Sequence, residues 1–460
     1  MIHSHIQWAA PCLAKSPARI TSAERQRVFA GSGVGVAQLS ITFFLQMAII
    51  LATCRVVGWL GQKYLKQPQV VCEMIAGVLL GPSLFGLVAP DTQQFVFTPE
   101  NKGVLYVGAQ FGVGLYMFLV GLGFRRDHLK ANATKAAAVS IAGMAMPFVV
   151  AIVLTPWLLT IPGLFSDKAT TFSATLFMGA AIALTAFPML ARIIHERGLS
   201  NTALGTLSLS AGAIDDATAW CVLAVVLATF GAGAGVAYVA IVGGIAFALI
   251  MIFVMPHVLA PLARWAERDQ ALHRPMNNTL LAIVVGLFML SAFTADAIGL
   301  HAVFGGFLLG CMMPRGALCD QVRKQLEPFT VVILLPMFFT YSGLNTQLTL
   351  IADPKLLMVA LVVLAGSIFA KFGACWAAAR LTGQDNRTAL GIGVLMNSRG
   401  LMELIIINIG LQAGVIGPAL FSMLVIMAIV TTLMASPIFE VVYGREARRS
   451  GELGALENAG

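Results

Sequence analysis

Two adjacent aspartates, Asp215 and Asp216, stand in the middle of an apolar run, Thr202 to Thr229, that carries no other charge. A bilayer is crossed by about 20 such residues. A charged side chain at mid-membrane costs at least about 2.5–3.5 kcal/mol, and neighbouring carboxylates repel each other. Acids held in such a place bind a cation or a proton. Successive helical residues project about 100° apart, so the two acids are free to take different tasks. Lys371, in Ser367-Ile368-Phe369-Ala370-Lys371-Phe372-Gly373, is a second charge inside an apolar run. A lone lysine there needs a partner, and the aspartates are the obvious ones.

Two further apolar runs are interrupted. In Ala183-Leu184-Thr185-Ala186-Phe187-Pro188, the proline removes a backbone donor and pushes the preceding residues away from helix. Carbonyls are thereby freed beside the Thr185 hydroxyl. In Met396-Asn397-Ser398-Arg399-Gly400-Leu401-Met402-Glu403, the polar residues Asn397, Ser398 and Arg399 suit no lipid-facing helix and mark a second break. Arg399 and Glu403, spaced i and i+4, read as a structural pair on one helix face. Helix ends meeting in a membrane supply partial charges and oxygen ligands for ions.

The elements that must position these residues follow from composition. The chain is 58% hydrophobic and 11% charged, with a mean hydropathy of +0.86. Soluble proteins carry about 25% charged residues, so this is a polytopic membrane protein. The net charge of +8 is not gathered into a stripe, which excludes a nucleic-acid binder. The seven cysteines are scattered without a Cys-x-x-Cys pair and read as packing residues. The expected fold is an all-α polytopic membrane protein with thirteen transmembrane helices, at about 37–61, 68–88, 103–123, 136–160, 171–195, 202–229, 235–262, 277–297, 299–313, 326–344, 355–379, 388–410 and 417–441. Seventeen basic residues lie at or after the ends of odd-numbered spans and three at even-numbered ones. The positive-inside rule then sets the N-terminus outside and the C-terminus in the cytoplasm.

The two interrupted spans are the fifth and the twelfth. Their odd offset makes them antiparallel, the pattern of an inverted repeat. Repeat one is expected over 37–229, a connector helix over 235–262 and repeat two over 277–441. Residues 1–36 read as a disordered N-terminal tail and 442–460 as a cytoplasmic tail.

Together these motifs resemble the monovalent cation:proton antiporter-2 family, within the sodium/proton exchanger superfamily. The matching stretches are Gln67-Pro68 through Ser83, Ala183–Pro188, Ala213–Asp216, Ile298–Phe307 and Met396–Leu404. Their wording is most similar to the branch holding plant cation/proton exchangers and bacterial relatives. The resemblance implies two crossed broken helices, a homodimer and an elevator motion. The core domain would be helices 4–6 and 11–13, and the dimerisation domain helices 1–3 and 8–10. It implies that Asp216 carries the ion or proton, that Asp215 pairs with Lys371, and that Thr185 supplies the hydroxyl of the first broken helix. Pro188, Asn397, Ser398, Arg399 and Glu403 support the breaks. One departure matters. The best-studied sodium exchangers place an acid directly after the Arg-Gly pair, whereas here Leu401 follows Gly400. The match therefore carries no cation-binding role to Glu403.

The chain reads as a secondary-active antiporter, not an enzyme, exchanging sodium or potassium for protons in a bacterial inner membrane. No cofactor is expected, nor any metal beyond the transported cation. The alternatives are a potassium efflux system or a channel-like cation permease of the same fold. A channel would want rings of acids or carbonyls from several subunits. An intramembrane aspartyl protease would place its acids on two helices. Glu73 reads as a packing acid, and Asp296 and His301 as residues near a span end. Competition supplies the mechanism: one site takes a proton or a cation but not both, and must be occupied to move.

Overall fold

The computed structural model describes residues 22–444 apart from 66, 68, 124–132, 168, 188–189, 191–192, 195–198, 200–201, 231–233, 273–275 and 299–301, and leaves some side chains, that of Asp216 among them, outside the description. Pro188 and His301 lie outside the described residues.

The described chain is helical. The main helices are α1 (Ser22–Leu60), α2 (Gln69–Leu80), α3 (Pro99–Leu122), α4 (Ala133–Leu158), α5 (Thr171–Ala183), α6 (Ala203–Phe230), α7 (Ala234–Leu249) and α8 (Met255–Ala271). They continue as α9 (Asn278–Ala297), α10 (Ala302–Met312), α11 (Ala317–Phe329), α12 (Leu335–Leu344), α13 (Pro354–Leu381), α14 (Asn386–Met396), α15 (Leu401–Gln412) and α16 (Pro418–Phe439). Among the described residues nine helices are long and apolar enough to cross a membrane, and Thr171–Ala183, Ala302–Met312 and Glu403–Gln412 are shorter apolar helices. Two of the short ones are halves of the interrupted spans. The third corresponds to the ninth apolar run, itself expected to be short.

Local sequence accounts for several ends. Thr170 caps α5 in a reciprocal pair with Ser173, and Asp353 caps α13 at the Lys355 amide. Prolines displace hydrogen bonds where helices run on through π turns. The turns Ile250–Val254 and Thr330–Leu334 stand just ahead of Pro256 and Pro336, each at the start of the next helical stretch. α1 starts at Ser22, upstream of the expected start at 37.

Two sets of helices pack closely within themselves. α3 lies along α10 and α12, α2 along α12 and α1, and α9 along α10. In the other set α4 lies along α13, α5 and α6, while α14 contacts α13, α6 and α16. Glycines bring backbones together in the first set. A side chain on Gly77 would run into the Phe339 carbonyl, and one on Gly310 into the Phe118 carbonyl. In a membrane, where lipid is as apolar as leucine, such close approach is what holds helices together.

Candidate functional site

The site forms where the second set brings both interrupted spans together. α5 stops at Ala183, and Leu184 turns extended at φ −70° and ψ 135°. Thr185 and Ala186 continue without helix. α14 stops at Met396, with Asn397 as its C-cap, and α15 resumes after Gly400. The two breaks touch. The Ala186 amide donates to the Ser398 carbonyl at 3.2 Å, and the Thr185 hydroxyl reaches the Met396 carbonyl at 2.9 Å. Each break thus supplies hydrogen bonds that its missing helical turn has lost.

Asp215 projects from α6 into this crossing and is 1% exposed. Both of its oxygens are occupied. Lys371 Nζ donates to Oδ2 at 2.7 Å, and the Thr185 hydroxyl lies 2.8 Å from the same oxygen. Ser140 Oγ on α4 donates to Oδ1 at 2.5 Å. The lone Thr185 proton serves either Asp215 or Met396 at one time. Lys371 has no exposed surface. Its ammonium also donates to the Ala183 carbonyl, which the end of α5 leaves free. Gly143, on α4, makes room for this arrangement. A Cβ there would lie 2.5 Å from Cys375 Sγ and 3.8 Å from Lys371 Nζ.

A second buried cation sits on the same helix end. Arg399 Nη1 donates to the Ala181 carbonyl at 3.0 Å and to Glu403 Oε1 at 3.3 Å. The last turn of α5 therefore presents two free carbonyls, each taken by a buried positive charge. The negative end of a helix dipole favours this. Thr432 on α16 braces Arg399 through its backbone: the Arg399 amide donates to the threonine hydroxyl at 3.1 Å. Among the described residues, Arg399 Nε and Nη2, Glu403 Oε2 and Asn397 Oδ1 are buried without a hydrogen-bond partner.

The sequence-derived residues divide accordingly. The structure brings together Asp215, Lys371, Thr185, Asn397, Ser398, Arg399 and Glu403 around one crossing. The Asp216 side chain and Pro188 lie outside the description. Ser398 turns its hydroxyl to its own helix, onto the Leu395 carbonyl at 2.7 Å, and joins the crossing through its backbone. Glu73 lies on α2, where Gln69 Nε2 donates to it at 2.7 Å, and Asp296 is exposed at the end of α9. Ser140 was not singled out by the sequence. A serine in an apolar run looks like any packing residue until the fold shows what it faces. Among the described residues no group of three or more His, Cys, Asp and Glu could hold a metal ion.

The family model for the transmembrane sodium/hydrogen exchanger matches residues 30–442, nearly the whole chain. The chain belongs to the sodium/hydrogen exchanger family. It is thus a multi-pass integral membrane protein and a cation/proton antiporter. Within the family it is similar to the Na(+)/H(+) antiporter NhaS4 of Synechocystis sp., with 37% identity over 403 residues, 86% of this chain and 95% of that protein. It is 32% identical over 413 residues to cation/H(+) antiporter 18 of Arabidopsis thaliana, covering 89% of this chain but half of that longer protein. Among solved structures, the sodium proton antiporter MjNhaP1 of Methanocaldococcus jannaschii matches with a TM-score of 0.62, covering 91% of this chain and 99% of the other at 16% identity. This exchanger therefore has the sodium/proton antiporter fold.

Proposed function

We propose that the chain exchanges sodium for protons with Asp216 as the carrier, and that Asp215 and Lys371 form a fixed pair beside it. The observation behind this reading is the commitment of Asp215. Its two oxygens already receive Lys371 and Ser140, and the Thr185 hydroxyl lies against Oδ2. Of the roughly four acceptor positions of an ionised carboxylate, most are thus already taken. Asp216 is next on the same helix, where successive residues lie about 100° apart, and is left to bind a proton or a hard monovalent cation. Sodium is favoured by the likeness to a sodium/proton antiporter at 37% identity.

The motion proposed is an elevator. The set containing α4–α6 and α13–α16 moves against the set containing α1–α3, α9, α10 and α12, which also forms a homodimer interface. The closer packing within each set than between the two supports this division. The membrane proposed is the bacterial inner one, and the bias of basic residues supports an N-terminus outside and a C-terminus in the cytoplasm.

Reconstituted vesicles with an internal pH dye test the reading. Sodium added outside should release protons from acid-loaded vesicles, with potassium much weaker. Asp216→Asn should abolish this release. Retained proton-coupled sodium flux in Asp216→Asn would remove the carrier role from Asp216, and equal response to potassium would overturn the choice of ion.

A further inference from the structure

We infer that Ser140 is a positioning residue of the exchange site: its hydroxyl fixes the carboxylate of Asp215 so that this acid serves Lys371 and is kept off the transported cation. The inference rests on the pair reading given above.

The first observation is where the Ser140 proton goes. A serine in a membrane helix ordinarily donates to a carbonyl three or four residues back on its own helix. Ser210, Ser367 and Ser422 do so, and Thr431 likewise. Ser140, only 1% exposed, donates instead to Asp215 Oδ1, 75 positions along the chain, at 2.5 Å. That length is typical of a hydroxyl on a charged oxygen.

The second observation is the division of the carboxylate. Oδ2 faces Lys371 on α13 and Thr185 in the first break, whereas Oδ1 faces Ser140 on α4. Three elements therefore hold the group from different sides. Lys371 and Thr185 both act on one edge, and Ser140 holds the other, so that turning the carboxylate breaks bonds at both oxygens. Without its donor, Oδ1 becomes an unpaired buried acceptor. An unpaired buried acceptor is costly, and a carboxylate no longer held at Oδ1 is able to turn from Lys371 toward a cation entering the site.

The charged and titratable groups around Asp215 are few. Lys371 and Cys375 face it from α13, Asp216 adjoins it on α6, and the Arg399–Glu403 pair lies behind the end of α5. Ser140 carries no charge, so removing it changes only how the carboxylate is held.

The test compares Ser140→Ala, Ser140→Cys and Ser140→Thr with the unaltered protein in vesicles, reading sodium-driven proton flux against pH and against sodium concentration. Losing this donor should displace the activity curve along the pH axis by about half to one unit, because the carboxylate beside the carrier is no longer held in one orientation. The half-saturating sodium concentration should also change severalfold. Ser140→Thr keeps the hydroxyl and should restore both, and Ser140→Cys, a weaker donor of similar size, should fall between. A Ser140→Ala protein with the unaltered pH curve and sodium dependence overturns the proposal, as does a threonine variant as impaired as the alanine one. Should the alanine variant not fold, an unshifted cysteine variant overturns it equally. Lys371→Ala, run alongside, separates the failures: if it too leaves the pH curve in place, the pair reading has failed; if it alone shifts the curve, only the role of Ser140 has.

Discussion

Two buried ion pairs sit within one helix end of each other and are built differently. Lys371–Asp215 spans α13 and α6 at 2.7 Å, and its acid has the Ser140 and Thr185 hydroxyls against it besides the lysine. Arg399–Glu403 is an i, i+4 pair at 3.3 Å, and Glu403 accepts at one oxygen while its other has no partner among the described residues. The first pair is a shared junction between elements, cushioned against the loss of one member. The second is a stitch inside one break, where each charge depends on the other. A buried pair stands on the bonds around it more than on its own attraction.

This contrast can be broken by experiment. The largest effect expected is at the stitch. Arg399→Ala leaves Glu403 buried without its donor and frees the Ala181 carbonyl, a loss of roughly 3–5 kcal/mol. Thermal unfolding in detergent should show it, and the paired change Arg399→Met with Glu403→Leu should recover much of it. Equal loss in the double variant would mean that the Ala181 contact, not the pair, carries the stability.

Lys371→Ala should cost less, because Asp215 retains Ser140 and Thr185. Its signature is functional: an altered voltage or pH response of exchange in a protein that still folds. A melting point lower than that of Arg399→Ala would reverse the comparison. Thr185→Val should be milder again, losing about 1 kcal/mol as one hydrogen bond goes. The same variant sharpens the contrast through transport, since its sodium dependence should shift while that of a Thr432→Val protein should not.

The smallest effect lies outside the membrane spans. Asp385 caps α14, accepting from the Arg387 and Thr388 amides at 3.0 Å each. Thr388, first through its side chain, holds this carboxyl below the usual range, with the backbone amides adding to it. A carboxyl lowered on folding stabilises above its unfolded value and loses that contribution as pH falls through the folded one. Asp385→Ala should therefore cost about 1 kcal/mol at neutral pH, and the difference from the unaltered protein should shrink in acid. A difference constant with pH would mean that the cap acts without its charge.

Much of this site was legible beforehand, for definite reasons. An uncompensated lysine in an apolar span demands an acid, and the chain offered two adjacent ones on a neighbouring span. The Asn397–Gly400 cluster marked its break because no lipid-facing helix would carry it. Which aspartate the lysine takes came only from resemblance, since two residues 100° apart look alike in a string. The structure places Lys371 on Asp215. Ser140 could not be read at all, because its meaning depends on a residue 75 positions away. The double use of the α5 end, by Lys371 and Arg399, was equally hidden: carbonyls carry no letter in a sequence. The early start of α1 escaped notice because polar residues near a span look like tail when nothing apolar pins them.

The glycine contacts have a consequence for how the protein is made. Gly77 meets the backbone of α12, and Gly121 meets that of α10, so each early helix closes on a partner synthesised much later. Until α10 and α12 enter the bilayer, α2 and α3 present bare backbone grooves that lipid tails fill poorly. The first half of the chain must therefore wait, inserted but unclosed, for the second. Anything that delays the second half would lengthen that exposure, and chaperones or proteases of the membrane would meet the nascent exchanger with these glycine faces open.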